Sequence, residues 1–256
     1  MIANYHTHTW RCNHATGREE EYVRTAIDQG FKILGFSDHS PYCFPGDYVS
    51  GIRMRTEQFP DYCGIVRLLQ KKYADQIKIP LGVEIEYYPD CFQPTLELLR
   101  DGGIEYLLLG QHFVVNEMDG VYCGRATAEE AILKRYCKQA MDAMQTGVFT
   151  YFAHPDLIHF KGDRTVYRQQ MRQLCREAKS CGLPLELNLL GQWSGRQYPN
   201  PEFWELAAEE GCSVVLGCDA HAPDHLIKPE AERQLLKLAK DLDLTVLETV
   251  VLRNIK

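Results

Sequence analysis

The stretch Thr127–Phe152, TAEEAILKRYCKQAMDAMQTGVFTYF, sets the architecture. Ile132, Leu133, Tyr136, Cys137, Ala140, Met141 and Met144 recur at helical spacing and form one apolar stripe. Thr127 and Glu130 read as a capping box at its start. Val148 to Phe152 then reads as a buried strand, and Tyr106 to Leu109 upstream as another. Two apolar strands joined through a helix make a parallel crossover unit.

The same unit recurs in both directions. Ile2 to Tyr5, Ile33 to Phe36, Ile79 to Ile85, Leu185 to Leu189 and Ser213 to Leu216 read as further strands. Helices are expected after Thr16, over 57–73, over 94–100, over 166–180, after Asn200 with Pro201 at its first position, and over 229–241. The first of these carries Thr16 and Glu19 as its expected capping box, and an apolar stretch from Leu244 to Leu252 closes the chain. Seven strand–helix repeats with continuously apolar strands imply a parallel sheet covered by helices. With no linker composition between them, the expectation is one closed α/β barrel domain over 1–256.

Composition narrows the function. Of the 256 residues, 45% are hydrophobic and 25% charged, and the formal net charge is -7. No run of Lys and Arg marks a nucleic-acid stripe, so a long nucleic acid is not expected as a partner. Ten cysteines without a C-x-x-C pair read as reduced, mostly buried side chains rather than a disulfide framework. There is no signal-peptide pattern and no apolar run near the ~20 residues of a membrane span, which points to the cytoplasm. Nothing in the sequence specifies an oligomeric state.

Nine histidines carry the chemistry. His6 and His8 end the first strand, with His14 in the loop beyond. Asp38 and His39 end the second, Glu84 the third; His112 follows the fourth, His154 the fifth, and Asp219 and His221 the seventh. Parallel strands of a barrel deliver all these ends to one face. His6 and His8, two apart on an extended segment, point the same way, and Asp219 and His221 repeat that spacing. One histidine at a strand end is an ordinary rim residue. Seven of nine together would be a costly buried polar cluster without something to coordinate them, and this implies metal.

These motifs resemble those of the polymerase and histidinol phosphatase (PHP) family of metal-dependent phosphoesterases: Tyr5-His6-Thr7-His8-Thr9, Phe36-Ser37-Asp38-His39, Gly82-Val83-Glu84, Gly110-Gln111-His112, Ala153-His154-Pro155-Asp156 and Cys218-Asp219-Ala220-His221. The stretches Thr9-Trp10-Arg11-Cys12-Asn13-His14 and Gly82-Val83-Glu84-Ile85-Glu86-Tyr87 look like its histidinol-phosphatase branch. The resemblance implies a distorted barrel of seven strand–helix units and about three divalent ions, zinc first, manganese or iron second. By the same analogy His6, His8, Glu84 and Asp219 hold the first ion. Glu84 bridges to a second, completed by His112 and His154, and His14, His39 and His221 hold a third. A hydroxide shared by the first two ions is the implied nucleophile. Three divalent ions less two carboxylates leave about +4, suited to a phosphate dianion. The implied substrate is a small phosphate monoester, L-histidinol phosphate in particular, in histidine biosynthesis. The alternatives within the family are nucleotides, short oligonucleotides and phosphotyrosine. An amidohydrolase-type barrel also begins with two histidines spaced by one, but commonly lacks a histidine two residues after its last aspartate. A non-catalytic metal-binding domain would be marked by missing ligands, and none is missing.

Around the ligands, Asp38 and Asp156 are expected to orient histidine ring N–H groups, with a turn cap an equal reading for Asp156. Lys161 and Arg164 are expected to meet the phosphate, solvated loop charges being their ordinary alternative. Arg18, Arg53 and Arg55 are further loop candidates, while His159 and His225, near the same face, match no family ligand and read as rim residues. Trp193, Tyr42 and Phe44 are candidate walls for a leaving group, and Glu86, Glu117 and Asp119 are candidate borders attractive to a cationic one.

Overall fold

A computed structural model of the protein describes residues 1–255. Six parallel strands form the main sheet, in the order β10 (Thr245–Leu247), β9 (Ser213–Gly217), β8 (Leu185–Asn188), β7 (Phe149–Phe152), β4 (Tyr106–Leu109) and β3 (Gly82–Ile85). A further parallel pair, β1 (Ala3–Asn4) and β2 (Ile33–Leu34), flanks it. Parallel bridges Phe36↔Leu81 and His39↔Glu84 set the continuation of β2 beside β3, and Thr7↔Ala220 sets that of β1 beside β9. The amide of His8 donates to Ala220 O at 2.9 Å and that of Ser37 to Thr7 O at 2.8 Å, so pairing continues beyond the regular strands. The protein is an α/β fold with a parallel sheet covered by helices.

The helices are α1 (Glu19–Asp28), α2 (Phe59–Lys72), α3 (Pro89–Asp101), α4 (Glu130–Gln145), α5 (Arg164–Ser180), α6 (Leu189–Ser194), α7 (Pro201–Glu209) and α8 (Pro229–Asp241). The α4 stripe buries Leu133, Tyr136, Cys137, Ala140 and Met144, as its spacing requires. Two capping boxes differ from expectation. Arg18 is the residue before α1, and Glu21 rather than Glu19 accepts its amide at 2.9 Å. Thr127 Oγ1 accepts from the Glu129 amide at 3.1 Å, closing a turn one step before α4. The helix expected from Pro94 begins at Pro89, where a proline needs no N–H partner, and runs on through Pro94. A short antiparallel hairpin, β5 (Phe113–Val114) with β6 (Val121–Tyr122), interrupts the crossover from β4 to α4.

Strand alternation divides the side chains between two cores. Leu107 and Leu109 of β4, Val83 and Ile85 of β3, and Val214 and Leu216 of β9 enter the large core beneath the helices. Tyr106, Leu108, Tyr151 and Val215 face the other way, with Ala3 and Tyr5. Glu84 pairs in register with Leu108 and Glu186 with Val215, so both carboxylates point to that second side. Two glycines make room for them. A Cβ at Gly110 would stand 2.0 Å from Glu84 Oε1, and one at Gly217 would stand 1.7 Å from Glu186 Oε1. All ten cysteines are free and most are buried. Among the described residues no helix is long and apolar enough to cross a membrane.

Candidate metal centre

The segments leaving the strands bring the seven expected histidines, Glu84 and Asp219 together. His6 and His8 follow β1, and their Nε2 atoms lie 3.1 Å apart. Asp219 Oδ1 is 3.5 Å from the first and 3.2 Å from the second. Glu84 Oε1 lies 2.8 Å from His154 Nε2, 3.5 Å from His112 Nε2 and 3.6 Å from His6 Nε2. Its other oxygen is 3.1 Å from His39 Nδ1. The groups His6/His8/Asp219, His6/Glu84/His154 and His14/His39/His221 each bring their donor atoms within 4.8 Å of one another. His154 and Asp219 take the left-handed backbone at φ 32° and 49°, an uncommon conformation for residues with a Cβ.

Ring orientation comes from atoms behind the cluster. Glu186 Oε1 stands 2.8 Å from His6 Nδ1, and Glu86 Oε1 2.9 Å from His112 Nδ1. The carbonyls of Cys12 and Asp219 take Nδ1 of His14 and His221 at 2.7 and 2.9 Å. Each contact leaves Nε2 free to face the centre. Asp38 Oδ1 lies 3.4 Å from His8 Nδ1, and its other oxygen accepts from Thr9.

The centre fits a cation by what it lacks. Both oxygens of Glu84 are buried and, although His154 Nε2 and His39 Nδ1 stand 2.8 and 3.1 Å away, neither oxygen forms a well-aligned hydrogen bond among the described residues. Such orphans are rare and costly in neutral surroundings. Imidazole and carboxylate donors predominate, with Cys12 Sγ within 4.8 Å of donor atoms of His8 and His221, and a set dominated by nitrogen and oxygen suits zinc, manganese or iron. Electrostatics agree. Burial opposes the charge on Glu84, yet His112, His6 and His39 hold its carboxyl well below the ordinary range. Burial is likewise overcome at Asp219 by His6, His8 and His221. Against the same burial, the acids raise His6 strongly and His8 to about 9. Burial and the neighbouring His8 lower His39 and His221 well below their ordinary value.

Beside the cluster opens a cavity of about 540 Å³, walled by Tyr122, Leu157, Trp193, Arg196, Tyr198 and His225. Several expected contacts fall elsewhere. Arg164 starts α5 and turns its Nε to Glu202 at 2.6 Å, while Lys161 is exposed and lies outside the cavity wall. Arg196, which the sequence did not single out, brings a guanidinium to the wall, 3.1 Å from Tyr198 Oη. Arg18, Arg55 and His159 do not line the cavity; Trp193 and His225 do, packed ring to ring at 4.8 Å. Tyr42 and Phe44 instead pack beneath Arg53. Asp156 orients no histidine. Its Oδ2 accepts from Asn200 N at 2.6 Å and Trp204 Nε1 at 3.0 Å, tying down the start of α7. Glu186, which does orient one, had a signal: it is the acid in the buried run Leu185-Glu186-Leu187.

The PHP domain profile matches residues 4–189. The chain belongs to the PHP family. The PHP match takes in every candidate ligand except Asp219 and His221, which the structure sets beside the others. The chain is 28% identical over 235 residues to a probable histidinol-phosphatase of Deinococcus radiodurans, covering 87% of each chain. It is 27% identical over 250 residues to a probable histidinol-phosphatase of Schizosaccharomyces pombe, covering 87% of this chain and 81% of that one. Its fold is similar to a histidinol phosphate phosphatase from Lactococcus lactis, solved with zinc, L-histidinol and phosphate. The TM-score is 0.75 at 18% identity, over 100% of this chain and 98% of the other. This PHP chain therefore stands with the histidinol-phosphatase-like branch.

Proposed function

We propose that the protein hydrolyses L-histidinol phosphate to L-histidinol and inorganic phosphate, as a cytoplasmic enzyme of histidine synthesis. The branch of the family makes it a phosphoric monoester hydrolase. The observation that carries the reading is the buried Glu84 carboxylate, ringed by histidines without a well-aligned hydrogen bond, lining a cavity sized for a small ligand. In this reading the strands and their bridges close as one distorted seven-stranded barrel over the chain.

His6, His8, Glu84 and Asp219 would hold one divalent ion; Glu84, His112 and His154 a second; His14, His39 and His221 a third. Zinc is the first choice, manganese or iron the second. Bound there, such ions supply charge neutralisation for the phosphoryl group and activation of water near neutral pH. The chain's own residues do the rest. Glu186, Glu86 and the carbonyls of Cys12 and Asp219 hold the imidazoles in the tautomer that presents Nε2. Arg196, steadied by Tyr198, offers a planar guanidinium to a phosphate oxygen. Trp193, Tyr198 and Tyr122 supply flat apolar surface for a leaving group, and Leu157 helps exclude water.

The test is phosphate release from L-histidinol phosphate against a panel of nucleotides, short oligonucleotides and phosphotyrosine, with metal analysis of the same sample. Preference for histidinol phosphate with two or three ions per chain supports the reading. Indifference to it, with a nucleotide cleaved at kcat/KM above ~10⁴ M⁻¹s⁻¹, replaces the substrate and leaves the phosphoesterase in place.

A further inference from the structure

Arg53 is an arginine in the long segment between β2 and α2, yet it is 2% exposed. Its guanidinium makes a fork with Glu86: Nη1 to Oε2 at 3.1 Å and Nη2 to Oε1 at 3.0 Å. Nε meets Glu117 Oε2 at 2.7 Å, and Nη1 also donates to the carbonyl of Ser40 at 3.2 Å. Tyr42 and Phe44 stack against it at 5.4 and 5.9 Å. Three separate pieces of chain meet on this one cation: its own segment, the strand end at Glu86, and the turn of the β5–β6 hairpin at Glu117. Tyr48 Oη adds a second tie to Glu117 at 2.9 Å, and Tyr42 Oη one to the Glu86 carbonyl at 2.5 Å.

The Glu86 oxygen that receives Nη2 is also the one at 2.9 Å from His112 Nδ1. His112 Nε2 in turn looks to Glu84. A carboxylate bound on both oxygens by a planar fork cannot swing, so its orientation is passed to the imidazole it accepts from. We propose that Arg53 is a positioning residue for the metal centre. It locks Glu86 so that His112 is held as a ligand.

The proposal rests on His112 being a metal ligand. Its alternative is that Arg53 is a staple which merely holds loops together. The two differ in what they share with Glu86. If Arg53 acts through Glu86, removing either should weaken the same ion, and removing both should cost little more than removing one.

The experiment is a chelator-competition titration of metal-free protein with Zn²⁺, run on wild type, Arg53→Gln, Arg53→Lys, Glu86→Gln, the Arg53→Gln/Glu86→Gln double variant and Glu117→Gln. Circular dichroism and limited proteolysis accompany each. Wild type taking up no zinc removes the metal reading itself. Given wild-type uptake, Arg53→Gln is expected to weaken one equivalent of zinc by ~10–100-fold, leaving the rest unchanged, with a sub-additive double variant. Arg53→Lys, a point charge without the fork, is expected to weaken the same equivalent. Glu117→Gln is expected to raise cleavage within 40–55 while leaving zinc affinity alone. The proposal is overturned if folded Arg53→Gln binds every equivalent as wild type does, or if its effect adds fully to that of Glu86→Gln. Should Arg53→Gln not fold, the Arg53→Lys and Glu117→Gln pair decides: equal zinc weakening in both overturns the proposal, and weakening in Arg53→Lys alone sustains it.

Discussion

Glu186 Oε1 lies 2.8 Å from Nδ1 of His6, and the backbone beside it is glycine because a Cβ at Gly217 would occupy that oxygen's place. The same carboxylate accepts the His154 amide at 3.0 Å and Asn188 Nδ2 at 2.8 Å. One buried acid thus steadies two candidate ligands that follow different strands, β1 and β7. Glu186→Gln keeps its shape and loses its charge. Metal affinity and turnover should each fall ~10–100-fold, measured by chelator competition and by phosphate release. Unchanged values would show that the contact is only packing.

Gly217→Ala tests the same geometry by volume. The added methyl must push the Glu186 carboxylate or its strand aside, at about 1–3 kcal/mol of stability. Thermal unfolding should show the loss, with weaker metal retention. A variant that melts with wild type would mean the carboxylate has room to move.

On the proposed bridging role, Glu84→Gln removes the charge that two cations would share. Activity should drop ~100-fold or more, with loss of two ions' affinity. Wild-type turnover in a metal-loaded variant would remove the bridging role.

Loading metal should release protons. In the metal-free site His8 is raised from 6.5 to about 9, so it is charged at neutral pH, yet it can bind metal only as the neutral ring. Calorimetry in buffers of different ionisation enthalpy should report proton release, and affinity should fall as pH is lowered. The stability of metal-free protein should move oppositely. A raised folded value means that the His8 contribution is complete below pH 6.5 and fades as pH climbs to about 9. His8→Asn should flatten that window; an unchanged slope would assign it to other groups.

Asp156 acts in the same direction through a carboxyl group. Burial raises its carboxyl from 3.8 to about 7, against the N–H donors of Asn200 and Trp204. Between those values the folded state holds a proton that the unfolded chain has lost, so stability falls as pH rises. The full span is on the order of 4 kcal/mol. Asp156→Asn keeps an acceptor for both donors and never charges. Its denaturant midpoint should lose this pH dependence, with metal content unchanged. Retained dependence would show that Asp156 stays ionised throughout.

Much of this was legible because periodicity and spacing are local signals. The α4 stripe, the Asn200–Pro201 start of α7 and the strand runs each declare themselves within a few residues. The cluster of histidines and carboxylates was legible because strand ends share a face. The supporting groups were not, since a role such as that of Arg53 or Glu186 depends on partners 33 and 180 residues away. Lys161 and Arg164 show the opposite error: position after a strand suggested the cavity, but Glu202 captured the Arg164 side chain. Thr16 and Thr127 sat at the right distance for caps, but the Thr16 carbonyl accepts from the Tyr22 hydroxyl and Thr127 Oγ1 closes a turn before α4. The short hairpin at Phe113 to Tyr122 has strands of two residues, too brief for alternation to register.

The pairing of Thr7 with Ala220 has a consequence for synthesis. The edge bearing His6 and His8 leaves the ribosome first, and its partner emerges 213 residues later. Until then the first strand presents an open backbone edge and two histidines without Asp219 or His221. Such unpaired edges invite association with other chains. A nascent chain stalled before residue 219 should therefore bind metal poorly and aggregate readily, and completion of the last strand–helix units should end both conditions together.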